Sequence, residues 1–380
     1  MVRKKIGLLL LGGNEWVGGL YYVLNIIKSL DYLPDSEKPE VYVFYGNEIA
    51  KNHLDELKYN NLIKINYNKS FLIKVLNKIC QYVFRYDFKT KYYIKKYQLL
   101  GIYPYNYNCK VNIDNEKVIA WFPDFQHKFL PKLFSQNEIN SRDNYLNSIQ
   151  SKIQYLVFSS HTAKEHYYRF YQKSRIKTFV LQFNSIIDDD LPNFETIKDK
   201  YRLNFKYFIV SNQFWKHKNH LLILKSIKYL VENKSFEFKI VFTGREVDDR
   251  DPNYFNTLKE YVAAHNLSKH LVFLGFIPRN DQLTIMKNAM AVIQPSLFEG
   301  WGTVVEDAKT LNKQVIASST PIHKEQLEIN AYYFNENNFR ELADLMLDYS
   351  TGKLDDKHNY KNIESRAAIF AKKLLTIFVD

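Results

Sequence analysis

The stretch PSLFEGWGTVVEDA, residues 295–308, follows the apolar run AVIQ and reads as a strand, a glycine-broken turn and the start of a helix. Gly300 and Gly302 lack the Cβ that keeps other atoms off the backbone, so main-chain N–H groups there can approach a ligand closely. A helix beginning after Gly302 leaves about four N–H groups unpaired and carries roughly half a positive charge at its start, which suits a phosphate. Glu299 stands before the turn and Asp307 eight positions later, and carboxylates accept hydrogen bonds from sugar hydroxyls. The segment reads as an anion seat beside two sugar clamps.

Outward from it, short apolar runs alternate with helical patterns along the whole chain, the signature of parallel βαβ units. Strands are expected at 6–11, 40–45, 62–65, 118–120 and 155–158, and again at 207–211, 239–243, 270–274, 291–294 and 314–317. A length of 380 residues exceeds one typical core, so two doubly wound α/β domains are expected. The charged, turn-like DDDLPNFET at 188–196 marks the linker, giving domains 1–190 and 191–362. An amphipathic helix closes the chain at about 363–380.

Composition excludes several classes. With 46% hydrophobic and 25% charged residues the chain is an ordinary globular one. Cys80 and Cys109 make neither a disulfide framework nor a zinc site, and together with an N-terminal apolar run that reads as a first buried strand they point to the cytoplasm. The net charge of +12 is uneven: residues 51–100 hold eleven Lys and Arg against three acidic residues, among many Tyr, Phe, Ile and Leu. That stretch is either a solvated helical face or a dock for an anionic membrane surface. No nucleic-acid motif accompanies the charge, so nucleic acid is not expected as a partner.

Four further segments carry chemistry. LGGNEWVGG places Gly12, Gly13, Gly18 and Gly19 between the first strand and an apolar helix, without the G-x-G-x-x-G spacing of a dinucleotide loop. AWFPDFQH delivers Asp124, Gln126 and His127 from the end of a strand, where open α/β sheets bind ligands. NQFWKHKNH carries Gln213, Lys216, His217, Lys218 and His220. His217 and His220 stand three apart without a third ligand, so no metal site is expected. TGR at 243–245 and LGFIPRNDQL at 274–283 place Gly244, Arg245, Gly275, Phe276 and Ile277 after strands.

In this order the segments resemble the retaining glycosyltransferases of family 4, whose donor site carries two glutamates separated by seven residues around a G-F-G-like turn. The spacing is kept here with Asp307 at the second position, while Glu306 is one residue, about 100° of helix rotation, away. The resemblance implies the GT-B fold, two Rossmann-like domains facing a cleft, with the last helix crossing back onto the N-terminal, acceptor-side domain. It implies that Gly18 and Gly19 approach the donor phosphates, that His127 reaches the reacting sugar, and that Asp124 and Gln126 orient His127 or touch the acceptor. Lys218 takes the position of the family's diphosphate lysine. Gln213 stands where the family usually has arginine, a loss of charge that Lys216, His217 or Arg245 could offset. Gly244, Phe276 and Ile277 would line the nucleotide, Glu299 the sugar with Gly300, Trp301, Gly302 and Thr303 around it, and Asp307 the ribose.

The expected reaction is transfer of a sugar from a nucleoside-diphosphate donor to a glycan or lipid-linked acceptor hydroxyl, with retention, in bacterial surface polysaccharide synthesis. No cofactor or metal is required, and the chain is expected in the cytoplasm, or peripheral on the inner face of the plasma membrane. The alternatives are a nucleotide-sugar epimerase on the same fold and a non-catalytic, membrane-associated protein.

Overall fold

The computed structural model describes residues 3–11, 17–46, 48–105, 117–171, 176–188 and 190–379. Gly12, Gly13 and Cys109 lie outside them. The chain forms two compact units, one of residues 1–128, 135–186 and 362–380, the other of residues 129–134 and 187–361.

The first unit is built on a parallel sheet of β1 (Lys5–Leu9), β2 (Glu40–Tyr45), β3 (Leu62–Asn66), β4 (Ile102–Tyr105), β5 (Val118–Phe122), β6 (Tyr155–Phe158) and β7 (Lys177–Val180), in the order β3-β2-β1-β4-β5-β6-β7. Its C-terminal helix, Ile363–Val379, packs on the helix Val17–Leu30. Gly18 and Gly19 fall within that first helix and not in the loop before it, because the apolar helical pattern begins at Val17.

The second unit holds β8 (Tyr207–Ser211), β9 (Lys239–Thr243), β10 (Leu271–Phe273), β11 (Val292–Gln294), β12 (Val315–Ser318) and β13 (Ala331–Phe334), in the order β10-β9-β8-β11-β12-β13. Residues one apart point to opposite faces of a strand, and the core follows that rule. Phe208, Val210, Ile240, Phe242, Ile293 and Ile316 pack on one face, and Tyr207, Ile209, Val241, Val292, Val315 and Ala317 on the other. With both faces covered, the strands are continuous β-branched and aromatic runs, as buried parallel sheets require. Each fully buried Ile or Val contributes about 1.5–3 kcal/mol relative to exposure.

In both units the strand order runs out from the first strand to one edge, then reverses to its other side. In the second unit the reversal falls between β8 and β11, which pair through Ile209 and Val292. Loops leaving the carboxyl ends of such a strand pair diverge and open a crevice, the place where sheets of this kind bind ligands.

Candidate functional site

Two loops meet at that reversal. The loop after β8 carries Asn212, Gln213, His217, Lys218 and Asn219, and the loop after β11 carries Pro295 to Gly302. Asn212 Nδ2 donates to Gln294 Oε1 at 2.9 Å, the Leu297 N–H donates to the His217 carbonyl at 2.8 Å, and Asn219 Nδ2 reaches the Pro295 carbonyl at 3.2 Å. Asn219 itself has φ +59°, a left-handed conformation that asparagine tolerates, and so turns the chain into the helix His220–Asn233.

Held between the two loops, Lys218 Nζ and Glu299 Oε1 are 2.6 Å apart, both nearly buried. Gln294 Nε2 donates to the same carboxylate oxygen at 3.0 Å. Burial alone would push the Glu299 carboxyl up, but the charge of Lys218 beside it more than offsets this and holds it down at about 2. A charged acceptor and a charged donor are therefore held together, nearly buried and already oriented, at the strand-order reversal.

Asp307, on the helix Thr303–Thr310, is fully buried, and both of its oxygens are taken by Arg279, one of them at 2.8 Å. Glu306, the neighbouring carboxylate, bonds instead to Lys309 at 2.8 Å and to Gln326 Nε2 at 2.9 Å. Gln326 also accepts from the Gly302 N–H at 3.1 Å and donates to the Gly302 carbonyl at 2.9 Å. The helix has no side-chain cap, so with the Gly302 N–H taken by Gln326 the N–H groups of Thr303, Val304 and Val305 are the first-turn donors without an i−4 carbonyl in the helix.

The remaining loops line up beside these. Gly244 N–H donates to the Gly275 carbonyl at 2.9 Å, and Phe214 N–H to the Arg245 carbonyl at 3.0 Å, which ties the turns after β8, β9 and β10 together. Arg245 and Phe276 are exposed, while Gln213, Ile277, Gly300, Trp301 and Thr303 are half-buried. The charge missing at Gln213 is not restored by His217: its ring is buried, which holds it neutral, well below the usual imidazole range. Lys216 Nζ lies 3.2 Å from Asp251, so that ammonium is also committed. Among the described residues no group of three or more His, Cys, Asp and Glu side chains is placed to hold a metal ion.

In the first unit, His127 is buried in the short helix Gln126–Phe129 that follows β5. Burial lowers its pKa, and its Nε2 lies 3.1 Å from Asp143 Oδ1. Asp143 also accepts from Lys128 at 2.6 Å and from the Tyr171 hydroxyl at 3.0 Å. The carboxylate oriented on His127 is thus Asp143, and not Asp124, whose Oδ1 accepts from the Gln126 backbone N–H at 2.8 Å. The reason is geometric: one oxygen of Asp124 closes the turn that starts the helix.

Residues 193–366 match the family model described as glycosyl transferases group 1. Over that range, just under half of its length, the chain is similar to the group 1 glycosyltransferases. The matched range contains Gln213, Lys218, Gly244, Arg245, Glu299 and Asp307, whereas Gly18, Gly19, Asp124, Gln126 and His127 precede it. The chain is 27% identical over 184 residues to the O-antigen chain mannosyltransferase RfbU of Salmonella typhimurium, covering 48% of this chain and 47% of that one. It is 30% identical over 115 residues to an Escherichia coli UDP-Gal:alpha-D-GlcNAc-diphosphoundecaprenol alpha-1,3-galactosyltransferase, covering 30% of this chain and 27% of that one. The chain thus spans half or less of the length of these curated relatives.

The fold itself is matched along the chain. A glycosyltransferase structure from Rickettsia africae aligns with 99% of this chain and 98% of its own, with a TM-score of 0.64 at 17% identity. Anabaena HepE, solved with UDP and glucose, aligns over 99% and 97% with a TM-score of 0.64 at 15% identity. The fold is GT-B, with two Rossmann-like domains.

Sequence reasoning missed Gln294, Arg279, Gln326 and Asp143. Arg279 lies inside the quoted LGFIPRNDQL, and its charge in a post-strand loop was the available signal.

Proposed function

We propose that this chain is a hexosyltransferase that moves a sugar, with retention of configuration, from a nucleoside-diphosphate sugar to an acceptor hydroxyl on a glycan or lipid-linked glycan. The observation that carries the reading is the buried Lys218–Glu299 pair at the strand-order reversal, within the range similar to the group 1 glycosyltransferases. The printed names of the relatives, an O-antigen chain mannosyltransferase and a galactosyltransferase named for a diphosphoundecaprenol-linked acceptor, support bacterial surface polysaccharide synthesis. HepE, solved with UDP, supports a nucleoside-diphosphate donor.

The difficult step is departure of the diphosphate, whose growing charge needs preorganised partners. Lys218, Arg245 and the N–H groups at Thr303 and Val304 supply them in this reading, without a metal. Glu299 holds sugar hydroxyls, Asp307 bears on the ribose through Arg279, which takes both of its oxygens, and the loops at Gly244, Phe276 and Ile277 meet the base. His127 is assigned to the reacting sugar and Asp124 and Gln126 to the acceptor. A departing phosphate oxygen serves as the base toward the acceptor, and the work is done at the inner face of the plasma membrane.

The test is a thermal-shift screen against UDP, GDP, ADP and CMP, followed by release of nucleoside diphosphate from a panel of nucleotide sugars. A nucleotide at a hundred times its Kd stabilises the folded state by about 2.7 kcal/mol. Glu299→Gln is expected to lower turnover about 10²- to 10³-fold, the size of one lost transition-state contact. A folded protein that shifts with none of the four nucleotides and releases none would overturn the proposal.

A further inference from the structure

The helix Phe71–Val83 buries none of its residues. Phe71, Leu72, Leu76, Ile79, Tyr82 and Val83 are instead among the most exposed large hydrophobic side chains of the chain, from 46% to 90% open. At about 100° per residue these six fall within an arc of about 140°. A surface helix of a globular domain turns such a stripe inward. Here the other side faces the body: Asn77 Oδ1 accepts from the Lys89 N–H at 2.9 Å, and the helix packs on Phe88–Tyr97.

Charge borders the arc. Lys74 and Lys78 are exposed on the same helix within about 60° of its edge, and Lys69 and Arg85 stand exposed just beyond its two ends. Residues 69–96 hold eight basic residues and one acidic residue, Asp87. Asp87 is buried and bonded to Thr90 and to the Tyr105 hydroxyl, so it does not offset the lysines at the surface. On the next helix, Phe88, Lys91, Tyr92, Lys95 and Lys96, with Tyr86 just before it, line an open depression of about 600 Å³. Three ammonium groups over aromatic walls suit a phosphate-bearing headgroup.

We infer that the helix Phe71–Val83 is an interfacial anchor for an anionic lipid bilayer, its apolar arc set among the acyl chains and its lysines at the headgroups. The inference rests on this surface alone and stands apart from the transfer reaction. A protein partner is disfavoured by the composition, since interface centres are depleted of lysine, whereas lysines beside an apolar stripe extend to the headgroup level of a membrane. A second copy is disfavoured because a self-complementary contact would bring like charges together. Among the described residues no helix is long and apolar enough to cross a membrane, so the arc lies on the bilayer and does not span it.

The experiment is co-sedimentation of the full chain with phosphatidylcholine vesicles, with and without phosphatidylglycerol. The chain is expected to pellet with the anionic vesicles, to remain in solution with the neutral ones, and to be released by high salt. Each lysine near such a surface is worth about a fivefold change in partitioning, so Lys74→Gln with Lys78→Gln should weaken it about 30-fold. Leu72→Ser, Leu76→Ser and Ile79→Ser together should weaken it by at least about 100-fold. The triple variant changes exposed positions only, and an unchanged melting temperature and nucleotide shift would certify its fold. The inference fails if the wild type stays in solution with anionic vesicles, or binds neutral ones equally. It fails too if the triple variant pellets like the wild type, or if light scattering shows a dimer that the triple variant breaks while vesicles go unbound.

Discussion

The buried Lys218–Glu299 pair shows how a charged site survives in a core. Each ion loses hydration, and the pair persists because the partners sit 2.6 Å apart with Gln294 donating to the same oxygen. Its neighbours are histidines under the opposite pressure. His220 is buried and stacked on Phe214 with ring centres 4.4 Å apart, and burial pushes its pKa down from 6.5 to about 3. The unfolded imidazole takes its proton near 6.5 and the folded one only near 3, so between these values the unfolded state binds more protons. Stability is therefore complete above pH 6.5 and falls as pH drops, by up to about 1.4 kcal/mol per pH unit, until about pH 3. Urea denaturation across this range should show the acid slope shallower in His220→Phe than in the wild type. An unchanged slope would remove His220 from the account. Lys218 and Glu299 were legible in the sequence because strand, turn and chemistry lie along a few residues. Gln294, Arg279, Gln326 and Asp143 were not, because each finds its partner across 5 to 28 residues of chain through the fold, and an isolated Gln or Arg declares no partner.

At the scale of elements, the turns that carry the site are fixed by backbone more than by side chains. Gly244 follows β9 with φ +147°, and a Cβ built there would fall 2.1 Å from the Asn212 carbonyl oxygen, in the loop that leads to Lys218. Gly244→Ala should therefore cost at least about 2–3 kcal/mol, through both the strained conformation and the clash. Gly352→Ala is the control: φ is +75° but nothing lies within 4 Å, so only the conformational cost, about 1 kcal/mol, is expected. Equal losses in chemical denaturation would show that the close approach at Gly244 is not what matters. Glycines were readable as turn markers, but not which of them another backbone crowds. The strands β4, β7 and β13 also escaped sequence reading: β4 is IYPY, and a proline argues against a central strand, while KTFV and AYYF are four residues long with little alternation. The helix Phe71–Val83 was legible only as a basic, aromatic stretch, since periodicity reports that a stripe exists and not whether it faces in or out.

Across the whole molecule, two surfaces with different chemistry occupy different units, and each should leave its own footprint. The crevice at the β8–β11 reversal belongs to the second unit, and the apolar arc of Phe71–Val83 to the first. Hydrogen exchange reads local opening, so a ligand slows exchange where it ties down loops that otherwise open easily. Adding the nucleotide that gives the largest thermal shift should slow exchange at residues 212–219, 244–246, 275–279 and 295–304, while the amides of β1 and β2 stay unchanged. Adding phosphatidylglycerol vesicles without nucleotide should slow exchange at 71–84 and leave 295–304 unaltered. The two readings then fail separately. Nucleotide protection confined to the first unit would remove the donor site from the Lys218–Glu299 crevice while leaving the anchor intact. Vesicle protection missing at 71–84 would remove the anchor while leaving the donor site intact.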